Sequence, residues 1–165
     1  MGGNRTIRPV VKKAPRLLQR ISAEGGTLRF SDEDVSSWLE LALFPDPLSA
    51  GDARRALEGY CDEQRVPEKL TEVGVLAISE LVTNAIIHAG TPALVLAEYD
   101  GDNLTLAVAD GADASPVAMP PGDDREHGRG VAIVEELGAT WGIRRTYLGK
   151  VVWVNLARVD VLGQG

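Results

Sequence analysis

The stretch from Pro67 to Ala89 constrains the fold more than any other part of the chain. Pro67 is a favourable first-turn residue, and Gly90 and Pro92 end the helix that it opens. Between them Val73, Val75, Leu76, Ile78, Leu81, Val82, Ile86 and Ile87 leave almost no polar side, which predicts a helix buried on most sides. The exception is a stripe of Glu80, Asn84 and His88 at four-residue spacing. On a regular helix each is turned by about 40° from the one before, so all three share one face. Burying a carboxylate and an amide without partners costs several kcal/mol, so the stripe must meet water, a protein network or a ligand. A ligand cleft satisfies it most economically; a polar edge turned to solvent is the alternative that spacing leaves open.

A helix of this kind needs layers around it, and the remaining segments supply them. Trp38 to Phe44 alternates well enough for a strand that ends at Pro45 and Pro47. Asp52 to Gln64 carries Ala53, Ala56, Leu57 and Tyr60 at helical spacing, with Ser49 before it. Leu94 to Tyr99 and Leu104 to Asp110 read as strands joined by the turn-rich Asp100-Gly101-Asp102-Asn103, as in a hairpin. Gly111 to Gly128 has no periodicity, which in a compact domain marks a functional lid or a disordered loop. A short helix over Val131 to Leu137 and two strands, Thr140 to Thr146 and Val151 to Ala157, complete the chain. The order predicts an α+β domain with helices gathered on one face of a mainly antiparallel sheet.

Charge divides the chain in two. Its net charge of −7 conceals a +6 arm, because Arg5, Arg8, Lys12, Lys13, Arg16 and Arg20 fall in the first twenty residues without an acid. The acidic remainder repels a phosphate backbone, so direct nucleic-acid binding by the folded domain is not expected. Residues 1–35 are expected to form a flexible basic extension, 36–158 the domain and 159–165 a tail. The apolar stretches are interrupted before the roughly 18 residues that a span requires, and the first residues are too charged for a signal peptide. No membrane association is therefore expected. With one cysteine, Cys61, there is no internal disulfide, and a reducing cytoplasm is the expected compartment.

The second chemical signal is Gly128-Arg129-Gly130 at a helix entry, where backbone N–H groups and the positive end of a helix dipole favour phosphate. A simple turn has the same composition. Phosphate-loop and dinucleotide fingerprints fail, since Gly149-Lys150 is followed by Val151 and position 133 is Ile133.

Together, ELVTNAIIHA (Glu80 to Ala89), VADGADASP (Val108 to Pro116), HGRGVAIVEELGATWGIR (His127 to Arg144) and GKVVW (Gly149 to Trp153) resemble, in order, the boxes of the GHKL ATP-binding superfamily. Within it they look like the bacterial anti-sigma-factor serine/threonine kinases. The resemblance covers roughly residues 38–157 and implies a two-layer α/β sandwich of the Bergerat type, with ATP between sheet, helices and lid. By this resemblance Asn84 completes a Mg2+ shell otherwise filled by phosphate oxygens and water. Glu80 is the acid that takes the proton of an attacking hydroxyl. His88 is a polar positioning group near the nucleotide, and Gly128, Arg129 and Gly130 face the phosphates. Asp110, directly after a strand, is the acid that accepts from the adenine amino group; Asp113, in Asp-Ala-Ser-Pro, is the competing match. Where related regulators frequently carry a hydroxyl after the Gly-Lys pair, this chain has Val151.

The resemblance thus implies an ATP- and Mg2+-dependent kinase that binds a sigma factor and phosphorylates an antagonist protein, with room for a homodimer. The alternative is a partner-binding module whose nucleotide pocket is structural or degenerate. A detached histidine kinase domain fits less well, because no long helix with a phospho-accepting histidine precedes it.

Overall fold

The structure is a computed structural model that describes residues 38–111, 139–146 and 149–163. The basic extension, the Gly111 to Gly128 lid beyond its first residue, the Gly-Arg-Gly motif and the helix expected at Val131 lie outside the described residues.

Strand β1 (Trp38–Leu43) leads into helix α1 (Ser49–Gln64) and the central helix α2 (Glu68–Asn84), which continues as one π-turn, Ala85–Ala89. Strands β2 (Ala93–Tyr99), β3 (Asn103–Asp110), β4 (Thr140–Thr146) and β5 (Gly149–Ala157) come next in the chain, and a short helix, α3 (Arg158–Leu162), comes last. The strands form one sheet in the order β1-β2-β3-β5-β4, and every pairing is antiparallel. This is the α+β architecture expected from the sequence, with no parallel pair among the described strands.

Several boundaries differ from the sequence reading for local reasons. The first strand stops at Leu43 rather than Phe44, because Leu43 pairs with Ala93, the first residue of β2. Phe44 stands 68% exposed. Helix α1 starts at Ser49, one turn before Asp52. Asp46 nucleates it: its carboxylate accepts from the Leu48 N–H at 2.7 Å and its carbonyl from the Ser49 N–H at 3.0 Å, while the Ser49 hydroxyl donates to the Phe44 carbonyl. β5 begins at Gly149 rather than Val151. Where the sequence reading ends the domain at 158, the chain continues into α3, and its Val161 joins the core.

The core lies between the sheet and the helices. Leu39, Leu43, Val95, Ala97, Leu104, Leu106, Val108, Val154 and Leu156 meet Leu57, Leu70, Ile78, Leu81 and Val82. Alternation puts the helix-facing residues of β3 at Leu104, Leu106, Val108 and Asp110, and those of β5 at Lys150, Val152, Val154 and Leu156. The opposite sheet face has its own smaller cluster of Leu96, Ala107 and Val151, with Leu94, Ala109 and Trp153 beside it. By length and composition alone Glu68–Ile87 could cross a membrane. Here that segment is the core helix, packed on α1, β3 and β5. Gly74 permits its close approach, since a Cβ there would lie 2.7 Å from Leu104 Cδ2.

Candidate functional site

The helix-facing side of the sheet is apolar from the turn between β2 and β3 up to Val108, and then carries a row of three charged residues, Asp110, Lys150 and, paired with Lys150 on β4, Arg145. Asp110 ends β3 on the helix side, with its side chain 1% exposed. Directly across the ladder from it is Lys150 of β5. The Lys150 ammonium lies 3.7 Å from Asp110 Oδ2 and its side chain is 30% exposed, so the pair runs from the interior to the edge of the site.

The backbone around this pair is tightly fixed. Gly149 has φ +142°, and a Cβ on it would lie 1.9 Å from the Asp110 carbonyl oxygen, so only glycine lets β5 enter the sheet here. On the other side, the Gly111 N–H donates to Thr91 Oγ1 at 3.0 Å, which ties the exit of β3 to the segment leaving the central helix. The backbone at Asp110 is therefore held between the ends of two strands and the connection from α2.

Glu80 and Asn84 lie on α2, the helix that packs against β3 and β5, and both are half-buried. They are neither sealed in the core nor fully exposed. The α-helix ends at Asn84, and the π-turn begins at the next residue. The stripe expected through His88 assumes regular α-helical spacing, which the wider turn interrupts. Gly90, left-handed at φ +59°, then ends the segment and donates its N–H to the Ile86 carbonyl. The side chain of His88, like Gly128, Arg129, Gly130 and Asp113, lies outside the described residues.

The register gives Val151 a different place from the one its motif suggests, where a missing hydroxyl would bear on the pocket. Val151 turns to the opposite sheet face, in the cluster with Leu96 and Ala107. Lys150 is the residue that shares a face with Asp110, and sequence reasoning missed it. Strand alternation indicates only that one of Lys150 and Val151 shares that face; the register with β3 decides which.

Cys61 is not part of this site. It is buried in α1, and burial pushes its thiol up to about 11, opposed by a hydrogen bond to Thr71.

A single layer of helices over an antiparallel sheet, with an acid at the end of a central strand and a Glu-x3-Asn helix across it, defines a GHKL-type ATP-binding domain. Residues 44–156 match the family described as histidine kinase-like ATPase domain, and the chain belongs to that family. Among solved structures it is similar to the histidine kinase domain from the Erythrobacter litoralis EL346 blue-light activated histidine kinase. The likeness has a TM-score of 0.45 at 18% identity and covers 68% of this chain and 64% of that one. No protein of curated function matches.

Proposed function

We propose that this domain belongs to an ATP-dependent serine/threonine protein kinase of the anti-sigma-factor kind, which sequesters a sigma factor and phosphorylates an antagonist protein in the cytoplasm. The observation that carries the nucleotide part is Asp110: a carboxylate buried at the helix-side end of β3, the strand against which the helix bearing Glu80 and Asn84 packs. A carboxylate accepts strong hydrogen bonds, and a donor such as the adenine amino group suits it. The glycine-only backbone at Gly149 fits the same purpose, since it lets β5 lie directly against the Asp110 backbone.

ATP would be held by Asp110 at the base, with Asn84 completing a Mg2+ shell and Gly128, Arg129 and Gly130 at the phosphates. Mg2+ needs few protein ligands here, because phosphate oxygens and waters fill most of its octahedron. Glu80, one turn before Asn84, takes the proton of the incoming serine or threonine hydroxyl. The hydroxyl oxygen bonds to the γ-phosphorus as the bond to the β,γ-bridging oxygen breaks, and ADP leaves. Family membership supports the nucleotide; the choice of a serine or threonine acceptor rests on the resemblance of the motifs.

Incubation with labelled ATP, Mg2+ and candidate antagonist proteins tests this reading. Glu80→Gln should keep nucleotide and partner binding and lower transfer by about 10²-fold or more. Transfer by Glu80→Gln at the wild-type rate would remove the base assignment. The second reading, a partner-binding module with a structural pocket, draws on the Lys150–Asp110 pair, in which a protein cation already faces the acid. Binding of the antagonist without transfer by either protein would favour it.

A further inference from the structure

We propose that Lys150 is a second base-reading residue, donating to the ring nitrogen N1 of adenine while Asp110 accepts from the neighbouring amino group. The inference rests on the reading of Asp110 as the adenine acceptor and extends it to a residue that the sequence motifs did not single out.

Three observations support it. Lys150 is the cross-strand neighbour of Asp110, on the same face of the sheet, so the two side chains start side by side and lean into the same space. Their separation of 3.7 Å is longer than the roughly 2.7–2.9 Å of a direct charge-assisted hydrogen bond, so the ammonium is not locked onto the acid. The acid is almost fully buried while the ammonium is partly open, so the acceptor is fixed and the donor, on a flexible stem, can adjust. A rigid acceptor beside an adjustable donor complements an edge that offers a donor next to an acceptor. The Watson–Crick edge of adenine, N6–H beside N1, is such an edge. Guanine presents the reverse order, with O6 where adenine has its amino group, and would set an acceptor against the fixed carboxylate.

The test varies the ligand as well as the protein, by calorimetry with Mg2+. The probes are ATP, 1-deaza-ATP, which lacks N1 but keeps the amino group, and purine riboside triphosphate, which keeps N1 but lacks the amino group. Wild type should bind 1-deaza-ATP at least tenfold more weakly than ATP. Lys150→Met should bind both equally, at about the wild-type affinity for 1-deaza-ATP, which is the signature of two changes that remove one interaction. Equal wild-type affinity for ATP and 1-deaza-ATP, or tighter ATP binding by Lys150→Met, would overturn the proposal; the latter would make Lys150 a plug. The reading beneath it fails differently: Asp110→Asn would then leave ATP affinity unchanged, and purine riboside triphosphate would bind as well as ATP. Because the 1-deaza comparison needs no substitution, it stands even where Lys150→Met disturbs the buried acid.

Discussion

At its first turn-proximal residues β3 sets Leu104 against Gly74 of α2; at its last residue, on the same face, it sets Asp110 beside Lys150. The strand, the sheet and the covering helix are common to both ends, and the chemistry is opposite. Around Gly74, Leu104, Leu57 and Leu156 close in to contact distance, and at this end the Tyr99 N–H donates to the Tyr60 hydroxyl at 3.0 Å. At Asp110 the β5 backbone comes close at Gly149, the Lys150 and Asp110 side chains are charged, and the ammonium is partly open. The first end is organised to exclude water. The second sets a buried carboxylate beside a partly exposed ammonium.

The contrast is sharpest in what each end does when a side chain is removed. Leu104→Ala should cost about 3 kcal/mol of stability, since it opens a cavity in a fully buried site. Urea denaturation measures this, and nucleotide affinity of the remaining folded protein should be unaffected. A loss below about 1 kcal/mol would mean that α2 settles onto the sheet and that the two ends differ less than their packing suggests.

Gly149→Ala tests whether the acid's end is as rigid as its backbone contacts imply. The added Cβ meets a carbonyl oxygen rather than a movable side chain, so a destabilisation of about 2 kcal/mol should accompany a loss of ATP affinity. Calorimetry and thermal unfolding on the same sample check both parts. Stability lost with affinity kept would separate the strand entry from the site.

Asp110→Asn should weaken ATP by more than tenfold, because a hydrogen bond to a charged acceptor contributes about 1.5–3 kcal/mol. Its effect on stability should be much smaller than that of Leu104→Ala. Asp113→Asn should have less effect on affinity. The opposite ranking would shift the motif by three residues and move the site away from the end of β3.

The smallest effect belongs to the packed end and to pH. Because burial raises the folded-state Cys61 thiol to about 11, its contribution to stability is present below the ordinary thiol range and declines as pH rises towards about 11. Urea midpoints across that alkaline interval should fall more steeply for wild type than for Cys61→Ala. Parallel profiles would show that the thiol is hydrated through local opening.

The amino-acid sequence by itself determined the order and type of the five described strands and the two long helices. The apolar run with caps made α2, the alternation of Leu104 to Asp110 made β3, and Asp100 with Gly101 made the hairpin turn, where the Asp100 carboxylate accepts from the Asp102 and Asn103 N–H groups. These are local effects: periodicity, propensity and turn chemistry act within a few residues. It also placed Glu80, Asn84 and Asp110 as candidates, because polar groups at the ends or along the stripe of apolar elements stand out. Only the tertiary structure decided which of Lys150 and Val151 joins Asp110. Alternation sorts a strand into two sets of side chains, but which set faces the helices depends on register with a strand about forty residues earlier, and a shift of one residue would exchange them. The π-turn after Asn84 and the seat of Leu104 against Gly74 are decided in the same way, by how the central helix must lie on the sheet rather than by the residues of either element alone.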